Sequence, residues 1–342
     1  MSNSSFELSE LKKLILVFGR DGQVGKALQL YLKDLKAPVV FLGRSDCDLS
    51  NELAIREVLD RYQPQVIINA AAYTAVDKAE SERELAFAIN AKAPAVMANY
   101  IANVAHGILV HYSTDYVFAD AKKSAYVESD AVGPVEKLGV YGQSKLAGEL
   151  AIQEAFNSVH GLGNESAKKS RTDSLENQLS KYFILRTSWV YGDGGNFIRT
   201  MLRLAGERDQ LKVVADQVGV PTTAEWLAEV GLQMAALAPH SDVTSGIYHA
   251  VPDGETSWHG LAVFAIETAA SCGEGVEVKS ENILPIPATD YPLPAPRPYN
   301  SRLNNEKLKK VLADSGFAGQ YPQWQDQVSE YVSRIVKESL KS

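Results

Sequence analysis

Short apolar runs alternate with longer amphipathic segments in the first part of the chain, and this alternation restricts the fold more than any other feature. In the first amphipathic segment, Val24, Leu28 and Leu32 share one helical stripe. Such an alternation predicts a parallel β-sheet with helices on both faces, whose ligands bind beyond the carboxyl ends of the strands. The apolar runs lie at 14–18, 38–42, 65–69, 107–111 and 182–185, and the predicted helices lie at 24–35, 54–62, 82–104 (with a kink or break at Pro94) and 141–156.

Beyond Tyr191 the alternation weakens, which predicts a second, smaller domain. The predicted fold is therefore an α/β, Rossmann-like doubly wound parallel sheet with a smaller C-terminal substrate-binding domain. Residues 246–250 are expected to return to the sheet as a strand, 284–298 to form a long ordered loop or a linker, and the polar segment 157–181 to be a surface insertion. The predicted division is a tail at 1–11, a dinucleotide-binding domain at 12–192 with 240–260 returning to it, and a substrate-binding domain at 193–239 and 261–342, with further helices at 196–205, 223–237 and 258–270.

Three glycines follow the first predicted strand and open the first predicted helix. Gly19, Gly22 and Gly25 have the spacing G-x-x-G-x-x-G. In a dinucleotide-binding turn, glycines permit the tight bend, the approach of the backbone to a pyrophosphate and the close packing of helix on strand. The N-terminus of the helix supplies N–H donors and a positive dipole to the phosphates. The loop therefore predicts a nucleotide cofactor.

The sequence at the end of the second predicted strand indicates which nicotinamide cofactor is preferred. An NAD-binding protein usually places an acid there to hold the ribose 2′-hydroxyl. Here the strand end carries Arg44 and no acid at its tip, and Arg20 lies in the glycine loop. Because guanidinium groups bind phosphate through forked hydrogen bonds, both arginines are predicted to hold a 2′-phosphate. We expect NADPH to be preferred, with NADH as an alternative and Asp48 near the adenine or ribose.

A tyrosine and a lysine stand four residues apart at the start of a predicted helix. Tyr141 and Lys145 form the pattern Y-x-x-x-K and share one helical face. A nearby ammonium favours phenolate, so Lys145 is expected to lower the pKa of Tyr141 and make it a usable proton donor. The fourth predicted strand ends with Ser113 and Thr114, whose hydroxyl groups could hydrogen-bond a substrate carbonyl. Together these features predict a reductase or dehydrogenase.

The order of these motifs resembles that of the extended short-chain dehydrogenase/reductase superfamily and, within it, of the dTDP-4-dehydrorhamnose reductase family. The resemblance covers nearly the whole chain apart from the N-terminal tail and the insertion. The stretches that carry it are GRDGQVG at 19–25, NAAAYTAVDKAESE at 69–82, HYSTDYVF at 111–118, YGQSKLAGE at 141–149, LRTSWVYG at 185–192 and PRPYNSRL at 296–303.

The resemblance implies the reduction of dTDP-4-dehydro-6-deoxy-L-mannose to dTDP-L-rhamnose for cell-surface polysaccharide synthesis. Hydride would pass from the nicotinamide to C4, Tyr141 would protonate the alkoxide, Lys145 would hold the nicotinamide ribose and Thr114 would orient the carbonyl. The family pattern further places Gly22, Gln23 and Val24 at the pyrophosphate, Asp48 and Leu49 near the adenine, Ala71, Ala72 and Tyr73 at the nicotinamide, Tyr112 beside the cofactor, Asp115 and Trp189 at the sugar nucleotide, and Arg297 at its diphosphate.

Other functions remain open on sequence grounds. The family also resembles the non-catalytic regulatory subunit of methionine adenosyltransferase, but Thr114, Tyr141 and Lys145 are all present here. Related dehydratases carry Asp-Glu after the strand-end threonine, whereas Asp115 is followed by Tyr116, which argues against dehydration. A reductase of another 4-keto deoxysugar nucleotide stays an alternative. Some relatives hold a dimer-bridging metal on glutamates, but residue 27 is alanine, so no metal site is predicted.

The composition is that of an ordinary cytoplasmic enzyme. A net charge of −8 disfavours nucleic acid as a partner. The two cysteines, Cys47 and Cys272, cannot build a disulfide framework, which suits a reducing compartment. The N-terminus lacks the features of a signal peptide, and the longest apolar stretch, 86–110, is too interrupted to span a membrane. We therefore expect a cytoplasmic protein, and the sequence leaves open whether it forms a homodimer.

Overall fold

The computed structural model describes residues 13–33, 38–119, 122–160, 179–240, 242–273, 280–314 and 321–339. The strands are β1 (Ile15–Phe18), β2 (Val39–Leu42), β3 (Val66–Asn69), β4 (Ile108–Thr114), β5 (Lys181–Thr187), β6 (Val190–Tyr191), β7 (Leu211–Val214), β8 (Val218–Gly219), β9 (Thr222–Thr223), β10 (Gly246–His249), β11 (Thr256–Ser257) and β12 (Ile283–Ile286). The α-helices are α1 (Gln23–Leu32), α2 (Glu52–Tyr62), α3 (Val76–Ala79), α4 (Arg83–Phe87), α5 (Ala93–Ala102), α6 (Val140–His160), α7 (Phe197–Ala205), α8 (Ala224–Leu237), α9 (Trp258–Ser271), α10 (Glu306–Asp314) and α11 (Trp324–Ser339).

A parallel sheet of six strands forms the centre of the protein, in the order β10-β5-β4-β3-β1-β2. All residues of β1, β3 and β4 are buried, as expected for strands covered on both faces. The predicted α/β fold with a doubly wound parallel sheet is confirmed, and so is the return of 246–249 to the sheet as β10. The strand order changes direction at β1, which has β2 on one side and β3 on the other, so a crevice is expected at the carboxyl ends of β1 and β3, with β4 next in the sheet.

Two layers of helices cover the sheet, and each has its own apolar core. On one face, Leu28 of α1 and Leu227 of α8 pack against alternate residues of the strands. On the other face the packing is made by Ile55 of α2, Met97 of α5 and Ile152 of α6. A third core lies outside the sheet, where α7, α9 and α11 pack together. None of the helices in the described ranges combines the length and apolar character needed to cross a membrane.

The predicted helix at 82–104 is interrupted in its middle. Between α4 and α5 the chain makes one π-helical turn over Ala88–Lys92. Pro94 has no N–H to bond the carbonyl of Asn90 four residues earlier, which releases that carbonyl from the regular ladder. A Cβ on Gly148 would lie 2.1 Å from the Asn90 carbonyl oxygen, so α6 crosses the chain closely at this turn. The kink expected at Pro94 therefore takes the form of a π-turn just before it.

Other boundaries also differ from the sequence prediction. The predicted loop 284–298 begins as a strand, because β12 pairs in parallel with β7. The insertion predicted at 157–181 is shorter at both ends: α6 continues to His160 and β5 begins at Lys181. Residues 161–178 and the tail 1–11 lie outside the described residues. The division into two domains stays a prediction.

Candidate active site

The glycine loop lies between the carboxyl end of β1 and the first turn of α1. Gly19 has a φ of 92°, and a Cβ there would lie 2.6 Å from the backbone of Ala70, just beyond β3. A Cβ on Gly25 would lie 2.0 Å from the Gly19 carbonyl oxygen, so helix and strand meet at a distance that requires glycine. Gly22 is the N-cap of α1, and a Cβ there would have its nearest neighbour at 3.4 Å. The first turn of α1 thus leaves room for an anion beside Gly22.

The two arginines predicted to hold a 2′-phosphate differ in their contacts. The Arg20 guanidinium binds the carboxylates of Asp21 (3.0 Å) and Asp46 (2.7 Å). Asp46 also accepts a hydrogen bond from the backbone N–H of Gly43 at the end of β2. Asp46 comes four residues after the last residue of β2, and the loop between them folds back so that its carboxylate lies at the end of the strand. The structure therefore places an acid at the end of β2, although the sequence has none directly after the strand. Arg44 is exposed directly after the strand.

The remaining residues predicted around the pyrophosphate and adenine follow β1 and β2 in the chain. Gln23, the first residue of α1, has a buried side-chain oxygen with no hydrogen-bond partner among the described residues. Val24 packs against the core between the sheet and α1. Asp48 is exposed and accepts hydrogen bonds from the backbone and hydroxyl groups of Ser50 at 2.9 and 2.8 Å. Leu49 packs beside it against the core under α2.

The segment after β3 carries the residues predicted at the nicotinamide. Ala71 and Ala72 are half-buried. The backbone N–H of Tyr73 donates to the side-chain oxygen of Asn90 (2.8 Å), and the amide of Asn90 donates to the Tyr73 carbonyl (3.0 Å). The Tyr73 hydroxyl donates to Glu82 (2.5 Å). The π-turn that carries Asn90 therefore fixes this segment at the edge of the crevice.

The structure brings Thr114 and Tyr141 together at the carboxyl end of β4. Burial raises the pKa of Tyr141 to about 12, a hydrogen bond with the Thr114 hydroxyl lowers it, and the charge of Asp115 raises it further. The Thr114 oxygen also caps the short helix that follows β4 by accepting from the Tyr116 N–H (3.2 Å). The Thr114 hydroxyl lies 3.1 Å from a carboxylate oxygen of buried Asp115. The hydroxyl groups of Thr114 and Tyr141 therefore lie within hydrogen-bonding distance of each other at the end of β4.

Lys145 lies on the same face of α6 as Tyr141, but its contacts are with β4. Its amino group donates to the Tyr112 carbonyl oxygen (2.7 Å) and lies 3.3 Å from the ring nitrogen Nε2 of His111. Burial lowers the pKa of Lys145 to about 8, opposed by the charge of Glu149. The expectation that Lys145 lowers the pKa of Tyr141 is wrong for this structure: burial raises that pKa, outweighs the opposing hydrogen bond from Thr114, and acts in the same direction as the charge of Asp115.

The hydroxyl group and the backbone carbonyl of Tyr112 form hydrogen bonds with two different helices, α8 and α6. Its ring is buried between the sheet and α8, and its hydroxyl donates to the Leu227 carbonyl oxygen (2.9 Å). A Cβ on Gly231 would lie 2.2 Å from that hydroxyl, so the helix needs glycine at this contact. The carbonyl oxygen of Tyr112, rather than its ring, faces Lys145. Whether Tyr112 touches the cofactor stays a prediction.

Several polar residues behind the site were not found from the sequence. Glu149 and Arg186 form a buried, two-pronged ion pair, with 2.7 Å between Arg186 Nη2 and Glu149 Oε2, and Ser113 donates to the same carboxylate. Asn69 and His111 form a second buried pair, described below. In the sequence, Glu149 lies one helical turn after Lys145, and Asn69, His111 and Arg186 end or interrupt apolar runs. These residues could have been identified from the sequence, because a polar side chain in or next to a strand that is predicted to be fully buried needs a buried partner.

Trp189 and Arg297, both predicted at the substrate, contact residues far away in the chain. The Trp189 ring stacks on Trp258 with a centroid distance of 3.7 Å, and its backbone has a φ of 48°. This left-handed conformation costs energy in a bulky residue and is typical of positions where function fixes the side chain. Arg297 binds Asp77 of α3 (2.8 Å), and Asp77 also accepts from the Ala295 N–H (3.1 Å). The segment around Arg297 is therefore attached to the sheet domain.

Comparisons with known proteins agree with this architecture. A family model described as the RmlD substrate binding domain matches residues 12–160 and 166–337. The dTDP-4-dehydrorhamnose reductase of Escherichia coli (strain K12) is 40% identical over 325 residues, which cover 94% of this chain and 97% of the relative.

Solved structures give the same result. The structure of a dTDP-4-dehydrorhamnose reductase from Clostridium acetobutylicum superposes with a TM-score of 0.77 at 33% identity, covering 94% of this chain and 99% of the other. The reductase of Bacillus anthracis in complex with NADP superposes with a TM-score of 0.75 at 30% identity, covering 94% and 98%. The match therefore extends over both the sheet and the outer helices, and the chain belongs to the dTDP-4-dehydrorhamnose reductase family.

Proposed function

We propose that this protein catalyses the NADPH-dependent reduction of dTDP-4-dehydro-6-deoxy-L-mannose to dTDP-L-rhamnose. The observation that carries the proposal is the hydrogen bond between Thr114 and Tyr141 at the same edge of the sheet as the glycine loop, in a chain that belongs to a family of reductases. A hydroxyl pair at the carboxyl end of a central strand supports the proposal, because ligands of such sheets bind beyond the carboxyl ends of the strands. The reaction belongs to nucleotide-sugar synthesis for cell-surface polysaccharides, and we place it in the cytoplasm, where NADPH is available.

The residues around the glycine loop fit a dinucleotide. A Cβ on Gly22 would fill the space beside the first turn of α1, and the buried side-chain oxygen of Gln23 has no partner among the described residues. We assign the pyrophosphate to this turn and the 2′-phosphate to the side of Arg44 and Arg20. When bound, the reduced nicotinamide supplies the hydride that adds to C4 of the sugar.

The side chains of the protein supply the proton and the orientation. Tyr141, whose pKa is raised to about 12, is protonated throughout the neutral range and can give its proton to the C4 alkoxide, which is a stronger base than phenolate. The Thr114 hydroxyl orients the carbonyl and stabilises the resulting phenolate by hydrogen bonding. Lys145 holds the ribose hydroxyls of the cofactor. Asp115, Trp189 and Arg297 are proposed contacts of the sugar and its diphosphate.

One turnover of dTDP-4-dehydro-6-deoxy-L-mannose with NADPH tests the proposal, with the product identified by NMR. We expect dTDP-L-rhamnose and one NADPH oxidised per sugar. Tyr141→Phe should lower kcat by about 10²- to 10⁴-fold while NADPH still binds, because only the proton donor is lost. Cofactor binding with no oxidation by any 4-keto sugar nucleotide would instead indicate a regulatory subunit. Faster turnover of a different 4-keto deoxysugar nucleotide would change the substrate but keep the reaction.

A further inference from the structure

A buried row of three polar side chains connects β3, β4 and α6 behind the proposed cofactor site. The side-chain nitrogen of Asn69 lies 3.0 Å from Nδ1 of His111, and Nε2 of the same ring lies 3.3 Å from the amino nitrogen of Lys145. The three residues are at most 1% exposed to solvent. The hydrogen-bonding groups of this row are therefore expected to find their partners within the protein and not in bulk solvent.

The orientation of Asn69 determines which nitrogen of His111 carries the proton. The side-chain oxygen of Asn69 accepts the backbone N–H of Ala71 (3.2 Å), so its NH₂ group is the one that faces His111. An amide NH₂ donates and does not accept, which makes Nδ1 of His111 the acceptor. Burial, followed by the charge of Lys145, holds the pKa of His111 well below its usual value, so the ring is neutral. A neutral ring with an acceptor at Nδ1 carries its hydrogen on Nε2.

The hydrogen on Nε2 points at the amino group of Lys145. An ammonium has three donors and no acceptor, so an ammonium here would place N–H against N–H. A neutral amine has one lone pair, which can accept from Nε2 of His111 while one amine hydrogen donates to the Tyr112 carbonyl oxygen. The contacts of 3.3 and 2.7 Å are both hydrogen bonds only in this second state.

Burial of Lys145 favours the same neutral state, and the charge of Glu149 opposes it. Glu149 lies one turn further along α6 and raises the pKa of Lys145, but its carboxylate is already bound by the Arg186 guanidinium of β5 and by Ser113. An ammonium at Lys145 therefore has no carboxylate of its own among the described residues. Tyr141, the remaining titratable neighbour on this face of α6, is protonated and neutral. The net effect of burial is a pKa of about 8 for Lys145.

We propose that His111 is a positioning residue that stabilises the neutral amine of Lys145 before the cofactor binds, so that in mildly alkaline solution cofactor binding takes up one proton from solvent. Ribose hydroxyl oxygens accept hydrogen bonds from an ammonium, so the bound cofactor favours the charged form. The proton adds to the lone pair of the Lys145 nitrogen, the hydrogen bond from His111 Nε2 is lost, and the ammonium is pushed away from His111. The inference rests on the proposed function only in assigning Lys145 to the cofactor ribose.

The number of protons taken up on NADPH binding tests the proposal. It is obtained by titration calorimetry of the whole protein in buffers of different ionisation enthalpy, between about pH 7 and pH 10 and without sugar substrate. We expect uptake to rise from near zero to about one proton, with a midpoint near the Lys145 pKa of about 8. Lys145→Met should abolish the uptake. His111→Phe removes the donor to the amine, so the midpoint should move to higher pH, whereas His111→Gln can still donate and should leave it near the wild-type value.

Two results would overturn the inference. One is a His111→Phe protein that binds NADPH with the same proton uptake as the wild type at every pH. The other needs no substitution: the ¹⁵N spectrum of the wild-type histidines should show His111 protonated at Nε2, and a ring protonated at Nδ1 contradicts the argument even if His111→Phe does not fold. Both measurements omit the sugar nucleotide, so failure to reduce the proposed substrate leaves them interpretable.

Discussion

At the scale of single residues, burial controls the chemistry of the site more than the nearest charges do. Burial shifts the pKa values of Tyr141 and Lys145 in opposite directions, because the charged form of each group is disfavoured away from water. The pKa of the phenol rises to about 12, and that of the lysine falls to about 8. The phenol therefore stays protonated at neutral pH, as the proposed proton transfer requires, and the neutral amine of the lysine becomes accessible, as the proposed proton uptake requires.

The Thr114 hydroxyl is predicted to contribute to the acidity of Tyr141. Thr114→Val keeps the shape of the side chain but removes the hydrogen bond that lowers the Tyr141 pKa. We expect kcat to fall by about 10²-fold, the effect typical of removing one preorganised donor. Steady-state kinetics with NADPH and the sugar nucleotide measure this. Thr114→Ser is the matched control and should retain most of the rate; equal losses in both variants would point to packing instead.

Arg44 and Arg20 are predicted to contribute unequally to cofactor preference. Arg44 is exposed, whereas Arg20 is bound to Asp21 and Asp46. Arg44→Ala should reduce the ratio of kcat/KM for NADPH to that for NADH by about 10-fold or more, since a charge-assisted bond to a phosphate contributes about 1.5–3 kcal/mol. Arg20→Ala should have a smaller effect on the same ratio. A larger effect from Arg20 would show that the 2′-phosphate displaces the aspartates.

At the scale of secondary-structure elements, the places where two elements cross most closely are occupied by glycine. Gly25 lets α1 meet the loop after β1, and Gly148 lets α6 cross the π-turn at Asn90. The first crossing lies at the proposed cofactor site, and the second fixes the helix that carries Tyr141 and Lys145. Close helix contacts therefore determine how accurately the two halves of the site are aligned.

Two alanine substitutions in the glycine loop should separate folding from cofactor binding. Gly25→Ala places a Cβ 2.0 Å from a backbone oxygen, so we expect a clearly lowered Tm together with weak NADPH binding. In Gly22→Ala the added Cβ would lie 3.4 Å from the nearest protein atom, so the Tm should be close to that of the wild type. The same Cβ would fill the space assigned to the pyrophosphate, so the Kd for NADPH should rise about 10-fold or more. Thermal unfolding and fluorescence titration measure the two quantities. Unchanged NADPH affinity in Gly22→Ala would contradict the placing of the pyrophosphate.

The ion pair between Glu149 of α6 and Arg186 of β5 is predicted to matter for stability. Both side chains are buried, so Glu149→Gln leaves a guanidinium without its counter-charge and should reduce the free energy of unfolding by about 3–5 kcal/mol. Urea denaturation measures the change. In the double variant Glu149→Leu with Arg186→Met, both charges are gone, and we expect most of the stability to return. A double variant as unstable as the single one would show that the lost packing, not the charge, dominates.

At the scale of the whole molecule, the site lies where the sheet meets the outer helices. Trp189 follows β5 of the sheet, and Trp258 begins α9 in the outer core. The Asp77–Arg297 ion pair makes a second connection, from α3 to the segment after β12. If the predicted division into domains is correct, the substrate binds across these connections and the cofactor does not.

Trp258→Ala tests this arrangement. Removing the ring leaves Trp189 without its stacking partner, so we expect KM for the sugar nucleotide to rise by about 10-fold, while the Kd for NADPH stays within about twofold of the wild type. The two constants come from steady-state kinetics and from fluorescence titration. Trp258→Phe is the control, because it retains a ring to stack on, and its KM should lie between the two. Weakened NADPH binding would mean that the cofactor also depends on the outer core.

Local patterns account for much of what could be predicted. Apolar runs marked β1 to β5 and β10, and helical stripes marked α1, α2 and α6, because strand and helix periodicity are properties of neighbouring residues. The positions of Thr114, Tyr141 and Lys145 relative to their elements followed from the same patterns. The π-turn before Pro94 and the pairing of β12 with β7 did not, since each depends on what the segment packs against.

By itself, the sequence determined the parallel α/β fold, the glycine loop and the residues that stand at the strand ends, because these follow from spacing along the chain. Only the tertiary structure decided how those residues behave. It brought Asp46 back to Arg20, placed His111 and Asn69 behind Lys145, and buried Tyr141. The physical reason is that proton affinity and hydrogen-bond partners depend on solvent exclusion and on groups far apart in the chain, which spacing alone does not specify.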